Sequence, residues 1–212
     1  MLTDNKYKIN LSTWKRKDHY AFFGLFEQPF WGLTTEINCT RAYNYCKMAG
    51  VNFFLYYLHK SLHAANSVKQ FRQRIERDGP VEYSSISGSV TVSRTDQTFG
   101  FAYFDYHPEF KEFAAGAGEA LRQEKMNSGL RPAPALDSII HYSVLTGIRF
   151  TSVQHAQRLG VADSVPKIVF GKLSEMNGRV LLPISVHVHH GLVDGLHVDQ
   201  FIQLFQEKME VR

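Results

Sequence analysis

Three histidines crowd into four positions, His187, His189 and His190, and Asp194 follows His190 four residues on. An imidazole titrates near neutral pH, so it can take or give a proton in a transition state. The run Arg179–His189 reads as a strand, and Gly191 and Gly195 bracket a turn after it. Strand alternation sets His187 and His189 on one face and His190 on the other. Three readings fit. The histidines are satisfied polar groups at a sheet end. Or His187 and His189 ligate a metal, although no clear third ligand or carboxylate cluster accompanies them. Or His190 is a general base, with Asp194 supporting it by capping the next helix or holding an arginine.

The elements that would position this segment alternate between strand and helix patterns. Residues 11–17 form a turn that leads to the apolar stretch Tyr20–Phe26, and Trp31–Ile37 reads as a strand. Thr40 caps a helix to about Met48, which Gly50 breaks, and Phe53–Ala65 reads as a buried helix. Phe71–Glu76 and Val81–Tyr83, turned by Asp78-Gly79-Pro80, form a hairpin. Strands follow at Ser89–Ser93, Thr98–Tyr106 and Ile139–Ile148, with a helix from Pro108 to about Met126 and a loop at Pro132 and Pro134. Lys167–Leu173 and Arg179–His189 flank Met176-Asn177-Gly178, a strong hairpin signal. Val198, Phe201, Ile202, Phe205 and Met209 keep helical spacing from Leu196 to about Met209. The expected fold class is α/β, a two-layer sandwich in which a mixed, largely antiparallel sheet packs with helices, and residues 1–212 form a single domain.

Composition narrows the function classes. Hydrophobic residues make up 44% of the 212, enough for a sizeable core. The formal charge is +4, with 24 Lys and Arg scattered along the chain, so no clustered basic face points to nucleic acid. A mild positive balance suits an anionic small ligand. The only cysteines are Cys39 and Cys46, which suit a reducing compartment and cannot build a disulfide framework. The first residues are polar, no signal-peptide core is visible, and no run reaches the roughly 18–20 apolar residues of a membrane helix, so a cytoplasmic location is expected. Gly116-Ala117-Gly118 stands inside a helix pattern with no strand close before it, which argues against a dinucleotide site.

His189-His190-Gly191-Leu192-Val193-Asp194-Gly195, ahead of an amphipathic C-terminal helix, resembles the His-His-x-x-x-Asp-Gly signature of the chloramphenicol acetyltransferases and their relatives. Leu182–His190 and Trp14-Lys15-Arg16-Lys17-Asp18-His19-Tyr20 are similar to stretches of the same family, as are Thr98-Phe99 and Tyr142-Ser143-Val144. The resemblance runs in order from about Leu11 to Glu207. It implies an acetyl-CoA-dependent O-acetyltransferase without a metal, acting by direct transfer to chloramphenicol or a similar hydroxyl acceptor and conferring antibiotic resistance. It also implies a homotrimer with active sites between subunits, and neither nucleic acid nor membrane as partner. By the same resemblance His190 is the general base, Ser143 stabilises the oxyanion, and Asp194 with Arg16 braces the histidine loop. Phe22, Phe23, Trp31, Phe99 and Phe101 fall on or beside acceptor-pocket positions.

The chain departs from the family's pattern at several points. Gly-Leu-Val stands between His190 and Asp194 where the best-known members have Ala-Val-Cys. Val169 replaces a threonine that helps hold a water, Phe101 replaces a small residue of the pocket wall, and Leu130 replaces an aromatic. These changes bear on the acceptor more than on the reaction.

Overall fold

The computed structural model describes residues 5–132, 137–157 and 163–210, so Pro134 of the expected loop lies outside the described residues. In chain order the elements are β1 (Lys6–Lys8), α1 (Lys17–Phe23), β2 (Phe30–Asn38), α2 (Thr40–Ala49), α3 (Phe53–Ser67), β3 (Gln73–Glu76), β4 (Gly79–Tyr83), β5 (Ser87–Ser93) and β6 (Phe99–Phe104). There follow α4 (Phe110–Met126), β7 (Ile139–Val144), β8 (Lys167–Phe170), β9 (Ser174–Met176), β10 (Arg179–His189) and α5 (Gly195–Glu210). The main sheet has seven strands in the order β2-β10-β8-β7-β5-β6, with β9 added to β10, and a small sheet runs β1-β4-β3. In the main sheet β5, β7 and β8 are mutually parallel and the other pairings are antiparallel. The α/β, mixed-sheet expectation therefore holds.

Alternation along the strands sorts the side chains into two faces. One face carries Ile37, Val90, Ala102, Ile140, Tyr142, Ile168, Phe170, Leu182, Ile184 and Val186, and helices α2 to α5 cover it. Leu58, Leu62, Phe113, Phe201 and Phe205 close the core from the helix side, each no more than 1% exposed. Truncating either of the last two phenylalanines to alanine would cost about 3–5 kcal/mol. The opposite face carries Ser89, Thr91, His141, Ser143, Lys167, Ser185 and His187, as the register requires.

Several boundaries differ from the sequence reading, each for a local reason. Thr40 is the first residue of α2 and not its cap: Asn38 Oδ1 accepts from both the Thr40 amide (3.1 Å) and its hydroxyl (2.6 Å). α4 starts at Phe110, after an extended Glu109 whose amide donates to His107 Nδ1. β7 ends at Val144, where the Ile148 amide turns back to the Leu145 carbonyl. The expected strand 167–173 breaks after Phe170. Gly171 there lies so close to Phe150 and Pro183 that a Cβ would stand 3.0 Å from each. Phe71 and Arg72 belong to a 3-10 turn before β3. The turn at Asn177-Gly178 forms as read, with φ of 51° and 72°, the left-handed backbone that a tight type I′ turn needs, but the arm before it is β9, Ser174–Met176, and not the expected run 167–173.

Candidate active site

Strand β10 carries the histidines to the end of the sheet. Its pairing with β2 sets Val188 against Trp31 and His189 against Phe30, and the His190 amide extends the ladder to the Pro29 carbonyl (2.9 Å). The chain then turns: the amides of Leu192 and Val193 both donate to the His189 carbonyl. Gly191 sits where a Cβ would meet the His189 ring at 3.1 Å and the Tyr20 backbone at 3.3 Å, so any larger residue would crowd this turn. Asp194 closes it as the cap of α5, accepting from the Leu196 amide at 3.2 Å.

Arg16, just before α1, locks the turn from outside. Its Nη1 lies 2.5 Å from Asp194 Oδ2 and its Nη2 donates to the His190 carbonyl at 3.2 Å. His197 Nδ1 adds a contact of 2.9 Å to Asp194 Oδ1. Burial raises the Asp194 carboxyl, but the Arg16 hydrogen bond and the charges of His197 and Arg16 outweigh it and hold it below the usual carboxylate value. Asp194 thus both caps the helix and holds the arginine.

The His190 ring lies in an aromatic bracket. Phe23 stacks on it at 4.1 Å and 14°, Trp31 flanks it at 5.3 Å, and Trp31 Nε1 donates to the Val193 carbonyl at 3.0 Å. Phe22 and Phe26 complete a cluster with Phe23 at centroid distances of 5.1–5.2 Å, and both are exposed. His190 Nδ1 is closed off from solvent and has no hydrogen-bond partner among the described residues, leaving Nε2 as the nitrogen that can meet a substrate. His189 is different: burial lowers it to about 4, and its Nδ1 accepts from the Gly191 amide. It is a neutral structural imidazole.

Ser143 lies elsewhere. It stands on β7, on the helix-free face, within 3.5 Å of the Thr91 hydroxyl. Across the parallel pairing its neighbour is Val169, and beyond that Ser185, five residues before His190 on β10. At ~3.3 Å per residue and ~4.8 Å per strand, Ser143 and His190 are separated by roughly 17 Å along the strands and roughly 10 Å across them. Phe101 pairs with Thr91 and touches Phe99 edge-on at 5.6 Å, so both phenylalanines fall on the Ser143 side. The chain thus brings Arg16, Phe22, Phe23, Trp31, His190 and Asp194 together, and gathers Ser143, Phe99 and Phe101 apart from them.

Sequence reasoning missed three contributors. Phe26 belongs to the aromatic cluster, Thr91 is the serine's neighbour, and His197 is the second partner of Asp194. Only His197 carried a signal, its three-residue spacing from Asp194 at a helix start. Neither cysteine suits nucleophilic work: burial pushes Cys46 up to about 11 and drives Cys39 upward as well. Among the described residues no group of three or more His, Cys, Asp or Glu is arranged to hold a metal ion, and no helix is long and apolar enough to cross a membrane.

Comparison with known proteins agrees with this architecture over nearly the full length. The family model described as "Chloramphenicol acetyltransferase" matches residues 4–206. Chloramphenicol acetyltransferase 2 of Haemophilus influenzae is 26% identical over 205 residues, covering 95% of this chain and 96% of its own. The chloramphenicol acetyltransferase of Clostridioides difficile is 23% identical over 203 residues, covering 94% of each. A solved chloramphenicol acetyltransferase superposes with a TM-score of 0.81 at 28% identity, over 96% of this chain and 99% of that one. The dihydrolipoamide acetyltransferase of Azotobacter vinelandii shares the fold, with a TM-score of 0.64 at 16% identity, over 91% of this chain and 86% of that one. The fold, the braced histidine turn and the match over residues 4–206 agree: the chain belongs to the chloramphenicol acetyltransferase family.

Proposed function

We propose that the chain, acting as a single domain, transfers the acetyl group of acetyl-CoA to a hydroxyl of chloramphenicol or a similar small alcohol. The observation that carries this reading is the fixed His190: its carbonyl is tied to Arg16, its ring is held by Phe23 and Trp31, and one ring nitrogen is shut away from solvent. A base held in one orientation is what proton transfer in a transition state requires, and such transfer contributes about 10²–10⁴-fold. The acceptor oxygen attacks the thioester carbonyl carbon as its proton passes to His190 Nε2. The carbon–sulfur bond then breaks and the proton goes to the departing sulfur, leaving an ester and free CoA. Ser143 donates its hydroxyl to the oxyanion formed in between, a role worth about 3–4 kcal/mol when the donor is well placed. Arg16 and Asp194 are positioning residues.

The separation of Ser143 from His190 supports an active site shared between two copies, and the family resemblance makes that assembly a homotrimer. One reaction centre cannot include both side chains of a single chain, whereas two copies can face His190 of one toward Ser143 of the next. In that arrangement Phe22, Phe23 and Trp31 wall the acceptor from the histidine side and Phe99 and Phe101 from the serine side. The exposure of Phe22 (57%) and Phe99 (48%) suits surfaces that a second copy covers. The two free cysteines suit the cytoplasm, where inactivating the antibiotic would confer resistance.

Release of CoA thiol from acetyl-CoA in the presence of chloramphenicol tests the reading. Stoichiometric thiol and ester are expected. Folded protein that releases no thiol above background with chloramphenicol would remove that acceptor from the proposal.

A further inference from the structure

A second ion pair lies behind the strand that carries Phe99 and Phe101. Alternation sends those two side chains to the helix-free face and turns Gly100, between them, toward the helices, where it pairs with Val92 of the core. Behind Gly100 the Arg94 guanidinium meets the Glu124 carboxylate, from the last turns of α4, through Nη2 and Oε1. A Cβ on Gly100 would fall onto both groups, so the strand is hollowed there to let the pair in. The side chains are 3% and 13% exposed. Apolar residues of similar volume are often as stable in such a place, so stability alone does not account for two buried charges.

Arg94 joins three segments. Its amide donates to the Thr98 carbonyl at 2.9 Å, which closes the β5–β6 turn one residue before Phe99. Its Nε donates to the Glu124 carbonyl at 3.3 Å, and its Nη1 donates to the Gly129 carbonyl at 3.0 Å. Gly129, with φ of 68°, then passes the chain to Leu130. Asn127 Nδ2 holds the other Glu124 oxygen at 2.9 Å, so the segment between α4 and Leu130 is tied down twice. Phe99 and Leu130, both exposed, are thereby brought to one corner of the molecule. Among the described residues the hydrogen bonds of Arg94 and Glu124 reach neither Ser143 nor the His190 turn.

Resting on the acyl-transfer reading above, we propose that Arg94 and Glu124 are positioning residues for the acceptor. The pair holds Phe99, Phe101 and Leu130 as one wall on the serine side of the site, as Arg16 and Asp194 hold the base on the histidine side. Loosening it lets the wall shift, which weakens acceptor binding and leaves the reacting groups in place. Leu130 is the link through which Arg94 acts.

Calorimetry with chloramphenicol and, separately, with acetyl-CoA tests this on the full-length protein. Arg94→Met combined with Glu124→Leu removes both charges, so neither is left buried and unpaired. It is expected to weaken chloramphenicol binding about tenfold and acetyl-CoA binding less than about twofold, and in turnover to raise the acceptor KM at nearly unchanged kcat. Leu130→Ala weakens chloramphenicol binding in the native protein and adds nothing once the pair is gone, because the two act as one unit. Arg94→Lys keeps the ion pair but lacks the planar fork that also reaches Gly129, and shows the same pattern at about threefold. Equal weakening of both ligands, unchanged chloramphenicol affinity, or losses from the pair and from Leu130→Ala that simply add, overturns the proposal even if acetyl transfer proceeds. So does a native protein that binds no chloramphenicol while releasing thiol with another alcohol. The expected binding pattern in a protein that releases no thiol sustains the wall and defeats the acyl-transfer reading instead.

Discussion

One guanidinium ties both ends of the histidine turn: Arg16 meets Asp194 Oδ2 through Nη1 and the His190 carbonyl through Nη2. Asp194 also caps α5 through its other oxygen, so His190, the turn and the last helix are tied to one another. The pair is partly buried, with side-chain exposures of 12% for Arg16 and 31% for Asp194. Arg16→Met and Asp194→Asn are each expected to lower stability by about 2–3 kcal/mol, less than the ~3–5 kcal/mol of a fully buried pair, and to lower activity in parallel. Urea denaturation beside thiol release checks both. An Asp194→Asn protein of unchanged stability but no activity would give the carboxylate a direct chemical role.

Asp194 also has a pH signature. Its folded carboxyl lies below its ordinary value of 3.8, so its contribution is complete above that value and is lost as pH falls through the lower folded one. Stability of the native protein should therefore fall more steeply below about pH 4 than that of Asp194→Asn.

If Ser143 stabilises the oxyanion as proposed, Ser143→Ala should lower kcat by about 10²-fold while KM changes little, because that charge is present only in the transition state. Steady-state kinetics over both substrates decides. A raised KM at unchanged kcat would make Ser143 a binding residue.

The aromatic bracket separates into two roles. Trp31→Phe keeps a ring beside His190 but loses the hydrogen bond to Val193, for an expected loss of about 1 kcal/mol in stability. Phe23→Leu removes the stacked ring and should cost more in kcat than in stability. Thermal midpoints beside kinetics separate the two, and equal losses in both properties for Phe23→Leu would mean that the ring only packs.

His59 lies far from the site and offers a cleaner titration. Its Nε2 is 3.0 Å from the His107 carbonyl, and burial brings it down to about 4 despite that bond. The unfolded chain takes its proton near 6.5 and the folded one does not, so stability falls as pH drops from 6.5 toward 4. His59→Gln keeps a donor without titrating. Its urea midpoint should decline less between about pH 7 and pH 5 than the native protein's, and an identical decline would show that His59 contributes nothing to the slope.

The sequence told most about what is local. The Asn177-Gly178 turn, the periodicity of α5 and the histidine motif all read through, because each is set by residues close along the chain. Asp194 was left between two roles and performs both, one inside the motif and one through Arg16, 178 positions away. Strand order was not legible. Nothing along the chain says that β8 lies between β7 and β10, so the distance from Ser143 to His190 could not be foreseen. Caps failed where a neighbour intervened: Asn38, two residues ahead, accepts from the amide and the hydroxyl of Thr40, which becomes the first residue of α2 and not its cap.

The central claim is that the reaction centre joins His190 of one copy to Ser143 of another. Co-refolding equal amounts of His190→Ala and Ser143→Ala chains tests it directly, by comparing thiol release from the mixture with that of each variant alone. Random assembly gives about one quarter of the interfaces an intact His190 facing an intact Ser143, so the mixture should recover roughly that fraction of native activity. A mixture no more active than the average of the two separate variants would contradict the account.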